Sequence, residues 1–242
     1  MMNYLKAEHL KYKRTISNKL LWLAPLLTAF FAWIVGGFYG FQYMTFYWWY
    51  AFLLPGTIAI LCSLSHKKEE RAGKYYSVLA APINLKKFEY AKALILFEKL
   101  LVAALFLAVF SAISNVISPS LAVYSIGRGF AGSVALVITS IWQIPLCLFL
   151  ARKTGMFLPI AANTLLGILM PILLGNTAFA WVCPYCWAAK LAELFMGIES
   201  NGTFLGITMF SWNVFLPLVL SVLFYVLLTL GDANHFSKKE RK

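Results

Sequence analysis

Residues 20–40 read LLWLAPLLTAFFAWIVGGFYG and contain no charged side chain. An apolar run of about 20 residues is long enough to cross the roughly 30 Å hydrocarbon core of a bilayer as an α-helix. The 242-residue chain contains further runs of this kind, so we predict an all-α integral membrane protein with six transmembrane helices. The predicted spans are residues 20–40, 48–64, 94–117, 130–151, 156–182 and 210–230.

The composition favours the same class of protein. Hydrophobic residues make up 61% of the chain and charged residues only 12%, far from the averages of soluble domains. The formal net charge is +12. Basic residues beside the ends of membrane helices account for such a charge, so we expect no nucleic-acid partner.

The distribution of the basic residues predicts an orientation. With six spans both termini lie on one side, and nineteen of the 21 Lys and Arg residues fall in segments on that side. Only Arg128 and Lys190 fall on the other. Because cytoplasmic segments are enriched in Lys and Arg, we predict a multi-pass plasma-membrane protein with both termini in the cytoplasm.

The N-terminal segment, residues 1–19, is longer than topology requires. Its residues at helical spacing along the less charged face are Met2, Leu5, His9, Tyr12 and Ile16. This periodicity predicts an amphipathic helix that lies in the membrane interface before the first span. A basic leader that only sets the topology is the alternative.

A second long cytoplasmic segment, residues 65–92, lies between the second and third spans. Its charged opening, Gly73 and Pro82 predict a short helix, a turn and a second helix. Tyr75 and Leu79 on that short helix would offer apolar surface to a docking partner, or they would rest on neighbouring helix ends.

The chain lacks the residues that catalysis or independent pumping requires. It has no Gly-x-x-x-x-Gly-Lys-Ser/Thr loop for ATP. The only acidic residue within a predicted span is Glu98, at the cytoplasmic start of the third, so no span interior contains Asp or Glu for a proton relay. The three His residues lie in cytoplasmic segments without a metalloprotease motif, and the one aspartate, Asp232, follows the last span. We therefore predict no catalytic residue, no metal site and no cofactor bound by this chain.

Two local patterns have competing interpretations. Cys183 and Cys186 form a Cys-x-x-Cys pair, compatible with thiol exchange, half of a metal site or a structural role, of which we favour the last. Trp142, Gln143 and Pro145 lie in the middle of the fourth span, where they predict a kink and a hydrogen bond at a helix interface.

An ordered series of short motifs runs along the whole chain. The motifs are Tyr4-Leu5-Lys6-Ala7-Glu8, Trp48-Trp49-Tyr50, Leu54-Pro55-Gly56, Ala81-Pro82-Ile83, Lys86-Lys87 and Trp142-Gln143-Ile144-Pro145-Leu146-Cys147. The series resembles the ABC-2 type exporter permeases, and more narrowly the lantibiotic-immunity permeases of the MutE/EpiE type.

This resemblance implies a partner complex. The chain would pair with a second, different permease subunit and with two copies of an ATP-binding subunit, which would hold ATP and Mg²⁺. The complex would expel lantibiotic peptides from the cell membrane and so give bacteriocin resistance. The residues of the coupling helix that would seat in the ATPase are implied to be Glu69, Glu70, Gly73, Lys74, Leu79 and Pro82.

The cargo would leave on the external side. Lantibiotics are amphipathic and mostly cationic, so an external cleft with aromatic and acidic side chains would receive one. The candidate residues are Trp181, Tyr185, Trp187, Glu193 and Glu199. Interfacial placement of aromatic residues is the alternative explanation.

Alternative functions are export of lipid or polysaccharide by the same architecture, and sequestration of peptide by a stand-alone membrane protein.

Overall fold

The computed structural model describes residues 1–12, 15–73, 83–207 and 211–239, and their regular secondary structure is helical. In chain order the helices are α1 (Met2–Lys11), α2 (Ile16–Trp48), α3 (Leu54–Arg71), α4 (Leu85–Ile117), α5 (Ile126–Ile138), α6 (Gln143–Thr154), α7 (Phe157–Leu174), α8 (Trp187–Leu191) and α9 (Phe215–Lys239). A turn of π-helix, Trp49–Leu53, joins α2 to α3 without a break. The predicted all-α class is confirmed.

The helices carry the outward apolar surface of a membrane protein. Large hydrophobic side chains lie exposed along α2, α4, α7 and α9, among them Phe30, Val109, Leu173 and Leu227. Continuous apolar surface of this extent is unfavourable in water and favourable against lipid. The described residues contain four helical stretches long and apolar enough to cross a membrane, namely Ile16–Arg71, Leu85–Ile117, Phe157–Leu174 and Trp212–Ser237. A fifth is added if α5 and α6, bent by 43°, count as one span.

The first of these stretches contains a sharp reversal at Gly37. Its 56 residues would measure about 84 Å as a straight helix, far more than a bilayer is thick. Gly37 has φ 55° and ψ −152°, which is not helical. The rings of Phe31 and Trp48 lie 6.3 Å apart, although 17 helical residues would separate them by about 25 Å. The chain therefore turns back on itself three residues before the predicted end of the first span.

The fourth predicted span, residues 130–151, is broken in two. Helix α5 ends at Ile138, and the hydroxyl of Thr139 donates to the carbonyls of Ala135 and Leu136 at 3.1 and 3.0 Å. Helix α6 then begins at Gln143. Pro145 lies in the first turn of α6, where a missing N–H leaves no helical hydrogen bond unmade. The break thus precedes Pro145, where the sequence had predicted the kink.

The fifth and sixth predicted spans have different bounds in the structure. Helix α7 ends at Leu174, short of the predicted limit at Val182, and a separate turn over Ala178–Trp181 follows. Gly175 and Asn176 favour this termination. Helix α9 begins at Phe215 and continues to Lys239, beyond the predicted limit at residue 230, because the Asp232 carboxylate is paired inside the bundle. The predicted start at Phe210 lies outside the described residues.

Most of the charged helix ends meet at one end of the bundle, which we call the basic end. Here α1 and the C-terminal ends of α3, α6 and α9 surround the first turns of α4. Ion pairs join Lys11 to Glu69, and Arg152 to both Glu89 and Asp232. The segments that the charge pattern assigns to one side of the membrane therefore do lie together.

The opposite end is closed by a buried amide network. The side chain of Gln42 accepts from the backbone N–H groups of Val123 and Tyr124 at 2.6 and 2.8 Å and donates to Asn115 Oδ1 at 2.6 Å. The Tyr124 hydroxyl donates to the carbonyl of Met196 at 2.7 Å. These bonds satisfy the N–H groups of Val123 and Tyr124 in the connection between α4 and α5, where Tyr124 is buried.

Small residues permit close helix packing. A Cβ atom on Gly167 of α7 would lie 2.8 Å from Pro55 Cγ, and one on Gly132 of α5 would lie 2.7 Å from Met196 Sδ. Such approaches are characteristic of membrane helix interfaces, where van der Waals contact replaces the hydrophobic effect.

The reversal at Gly37 predicts that a side chain at this position lowers the stability of the chain. Its φ and ψ fall in a region that only glycine occupies readily, so Gly37→Ala should destabilise the chain by roughly 1–3 kcal/mol. Gly127→Ala is the matched control, because Gly127 lies in α5 and a Cβ atom there, as at Gly37, would meet nothing within 4 Å. The measurement is the midpoint of thermal unfolding in detergent. Equal midpoints for the two variants would contradict a strained reversal at Gly37.

Candidate functional site

Helix α1 is tied to the end of α3 by a buried ion pair. Lys11 Nζ lies 2.5 Å from Glu69 Oε1 and 2.5 Å from Glu8 Oε1. Glu8 is 2% exposed and Glu69 5%. Burial raises the pKa of Glu8, and the ammonium groups of Lys92 and Lys11 oppose that rise. The N-terminal helix is therefore fixed to the bundle by charge as well as by apolar packing.

A second set of charges joins α4, α6 and α9. Arg152 Nη1 donates to Glu89 Oε2 at 2.8 Å, and Arg152 Nη2 donates to Asp232 Oδ1. Lys92 Nζ lies 3.3 Å from the other oxygen of Glu89. Glu89 and Lys92 are almost fully buried. Each carboxylate has a cationic partner, which buried charges require.

The ring of Phe88 lies between the two sets. Lys11 Nζ and Lys92 Nζ lie 4.8 and 4.4 Å from its centroid, distances at which cations are attracted to an aromatic face. The Phe88 ring also stacks on Phe236 of α9 at 6.5 Å. We call the whole assembly the charged cluster, and its members are Glu8, Lys11, Glu69, Phe88, Glu89, Lys92, Arg152 and Asp232.

The charged cluster connects five helices at one point. Its ion pairs are stronger here than in water because the surroundings have a low dielectric constant. Among the described residues no group of three or more His, Cys, Asp or Glu side chains is arranged to hold a metal ion. The arrangement of ion pairs in the charged cluster is suited to connecting its five helices mechanically.

The structure describes only some of the predicted coupling residues. Glu69 belongs to the charged cluster. Glu70 and Gly73 are exposed, and Gly73 has φ 102° at the end of α3. Lys74, Leu79 and Pro82, with the rest of the predicted coupling helix, lie outside the described residues.

The predicted interface residues belong to a second, mainly apolar cluster inside the bundle. Asn163 Nδ2 donates to Gln143 Oε1 and to the carbonyl of Pro55, both at 2.8 Å. The Tyr185 hydroxyl donates to Asn163 Oδ1 at 3.0 Å, and its ring lies 4.8 Å from that of Trp142. Gln143 therefore forms the interhelical bond that its position predicts, within this chain.

The predicted external cleft is largely filled by its own aromatic residues. Trp187 is 5% exposed and donates from Nε1 to the carbonyl of Trp181 at 2.8 Å. Glu193 is paired with Lys190 at 2.7 Å. Glu199 is partly exposed, and its carbonyl accepts from the Tyr50 hydroxyl at 3.2 Å. The structure thus buries Trp187 in the core and leaves Tyr185 and the two glutamates partly exposed.

Cys186, the second residue of the Cys-x-x-Cys pair, has the properties of a structural element. Cys186 is fully buried, and its thiol contacts the carbonyl of Met170 at 3.4 Å. Burial, with Cys183 beside it, raises the pKa of Cys186 to about 12. Because the thiolate is the reactive form, this thiol is poorly suited to exchange chemistry at neutral pH.

Sequence reasoning missed most of the charged cluster. In the sequence, Lys92 and Arg152 count only toward the charge asymmetry, and Asp232 only follows the last span. Glu8 stands within a family motif, and nothing in the sequence assigns a role to Glu89. One signal was available, since Glu89 and Lys92 stand three residues apart within a helical pattern and so share a face. The pairing with Arg152 and Asp232 depends on the tertiary arrangement of three helices.

The comparisons with known proteins give one match. A family model described as ABC-2 family transporter protein matches residues 4–170, about two thirds of the chain. No curated protein matches significantly, and no solved structure does either.

The charged cluster predicts a large difference between two neighbouring basic residues. Arg152→Met should lower the stability of the chain by about 3–5 kcal/mol, because it leaves Glu89 and Asp232 buried without their guanidinium partner. Lys153→Met is the matched control, since Lys153 is exposed and its ammonium lies over the Phe149 ring. The measurement is thermal unfolding of both variants in the same detergent. A loss in Lys153→Met as large as that in Arg152→Met would show that the cluster has no special role.

Proposed function

This chain belongs to the ABC-2 family of transporter proteins and is therefore a permease subunit of an ABC exporter, and we propose that its cargo is a lantibiotic-type antimicrobial peptide. The assignment of this chain as a membrane transport subunit that works with an ATP-binding partner rests on the family match. The motif series from Tyr4-Leu5 to Leu146-Cys147 supports the narrower choice of cargo.

We propose six membrane crossings with both termini in the cytoplasm. The reversal at Gly37 supports two crossings from the first helical stretch, residues 16–36 and 38–71. Helices α4, α7 and α9 supply three more, and α5 with α6 supplies one broken crossing. Nineteen of the 21 basic residues then lie on the side of the basic end, which the positive-inside rule assigns to the cytoplasm.

The proposed site of coupling is the segment that leaves the basic end after α3. Glu69 is tied to α1 through Lys11, whereas Glu70 and Gly73 are exposed and accessible to a partner. A displacement of residues 67–85 by the ATPase dimer would act on α3 and α4, which flank the segment. Through the charged cluster it would also act on α1, α6 and α9, and so change the packing of the spans.

The partners we propose are two copies of an ATP-binding subunit, carrying ATP and Mg²⁺, and a second permease. The cargo would leave at the end opposite the ATPase. Glu193 and Glu199 are the groups there with charge opposite to that of a cationic peptide. The proposal is tested by expressing the chain with its ATP-binding partner and second permease and measuring ATP-dependent loss of labelled lantibiotic from cells. Protection that needs no ATP hydrolysis and saturates with peptide dose would instead show sequestration.

The coupling proposal predicts a selective defect in Gly73→Pro. Proline fixes φ near −65°, and Gly73 has φ 102°, so the path of the chain after α3 must change. We expect normal assembly with the ATP-binding subunit and reduced export, measured as peptide-stimulated ATP hydrolysis and survival. Gly206→Pro is the matched control, because Gly206 has φ 94° at the opposite end. Wild-type coupling in Gly73→Pro would remove this segment from the mechanism.

The cargo proposal predicts an effect of charge at the external end. Glu193→Gln with Glu199→Gln keeps side-chain size and removes two negative charges, so tolerance of cationic lantibiotics should fall a few-fold. Glu98→Gln is the control, since Glu98 is an exposed carboxylate near the basic end, 3.5 Å from His9. The measurement is the inhibitory concentration of the peptide. Unchanged tolerance in the double variant would exclude these carboxylates from the export path.

A further inference from the structure

A small cavity at the basic end is lined by cations. It has a volume of about 220 Å³ and lies between the end of α1, the start of α2 and the end of α3. Lys67, Lys68 and Arg71 line it, and no carboxylate does among the described residues. Neither Lys67 nor Arg71 forms an ion pair with another described residue, and the nearby Glu69 is engaged by Lys11. Lys68 lies 5.3 Å from the centroid of the Tyr12 ring, and Glu8 and Glu69 offset part of its charge. Lys67 and Arg71 leave the cavity with a net positive potential.

Uncommitted hydrogen-bond donors lie beside these cations. Ser17 lines the cavity, is 5% exposed and makes no hydrogen bond to another described residue. The N-cap residue of α2, Thr15, does not cap the helix with its side chain, because its hydroxyl donates to the carbonyl of Tyr12 at 2.9 Å. The uncapped start of α2 thus borders a space that is lined by three cations, a combination that favours a phosphate group.

An apolar groove continues from the cavity along the same two helices. It has a volume of about 580 Å³, and its lining is almost entirely apolar. Leu20 and Ala24 of α2, Gly56 and Ile60 of α3 and Ala161 of α7 form its walls. Leu20 follows the cavity residue Ser17 by about one helical turn, and Ile60 precedes the cavity residue Leu64 by about one turn. The two spaces therefore follow each other end to end.

We propose that one anionic phospholipid binds here, with its phosphate among Lys67, Lys68 and Arg71 and an acyl chain along the groove between α2 and α3. The positive charge of the cavity is opposite to that of the phosphate. The cavity lies next to the groove, as the headgroup of a phospholipid lies next to its acyl chain. The inference rests on the proposed orientation, which places this end at the inner leaflet where anionic lipids are concentrated. It does not depend on the identity of the exported cargo.

Other occupants fit only one of the two spaces. A cationic lantibiotic would be repelled by the three basic side chains. An apolar helix of a second permease would cover the groove but would leave the cations without a counter-charge. A phospholipid satisfies both requirements in one molecule.

The test is a lipid titration of the purified, delipidated full chain. Dioleoyl phosphatidylglycerol is added, and bound lipid is counted by native mass spectrometry. We expect one tightly held molecule per chain and weaker binding of dioleoyl phosphatidylcholine, whose headgroup has no net charge. Dihexanoyl phosphatidylglycerol and inorganic phosphate test the two spaces separately, since one has short chains and the other has none. Either of them binding as tightly as the dioleoyl lipid would overturn the role of the groove.

A pair of charge variants tests the role of the cavity. Lys67→Gln with Arg71→Gln should weaken phosphatidylglycerol binding about thirtyfold, whereas Lys86→Gln with Lys87→Gln should leave it within about threefold. Lys86 and Lys87 are the matched control, because both are exposed near the basic end and line neither space. Equal binding by all three proteins, or equal losses in the two variants, would overturn the proposal. ATP-dependent export is scored separately, so failure of the lipid site and failure of the exporter assignment are distinguishable.

Discussion

The pairing of Arg152 with Glu89 and Asp232 is the interaction on which the basic end of this protein depends. These groups lie at the charged ends of three mainly apolar helices, and an unpaired buried charge among them would be strongly destabilising. Pairing them fixes the relative positions of α4, α6 and α9. The Phe88 ring and Lys11 extend the same connection to α1 and to the end of α3. Five helices are thereby held as one body at the end where a partner ATPase would act.

The two ends of the bundle are held by different chemistry. The basic end is held by ion pairs, which are long-range and respond to the displacement of any member. The opposite end is held by neutral hydrogen bonds around Gln42 and Tyr124 and by the buried residues of α8. Between them the spans meet through small residues such as Gly167 and through the hydrogen bonds that Asn163 makes to Gln143 and to the carbonyl of Pro55. This division suits a permease that receives a mechanical signal at one end and changes its packing toward the other.

The fold class could be predicted because long apolar runs and the uneven distribution of Lys and Arg are direct consequences of insertion into a membrane. The helix bounds could not be predicted equally well. Nothing in the local sequence distinguishes Gly37, where the chain reverses, from the adjacent Gly36, and the break at Thr139 depends on hydroxyl bonds to the preceding turn. Glu89 and Asp232 resemble ordinary charges at helix ends until the fold brings Arg152 to both. Tryptophan is a residue type common at membrane interfaces, yet tertiary packing places Trp187 in the core. The coupling role of Glu69, Glu70 and Gly73 comes from the family resemblance and stays a prediction, whereas the network that connects Glu69 to the spans could not be predicted from the sequence.

We propose that the ATP-binding subunit engages this chain just beyond the charged cluster. The most direct measurement is photocrosslinking in cells that express the assembled exporter, with a photoreactive amino acid in place of Glu70 or, at the opposite end, of the exposed Asn201. The account predicts a covalent adduct with the ATP-binding subunit from position 70 and none from position 201. An adduct from position 201, or none from position 70 in a complex shown to be assembled, would contradict it.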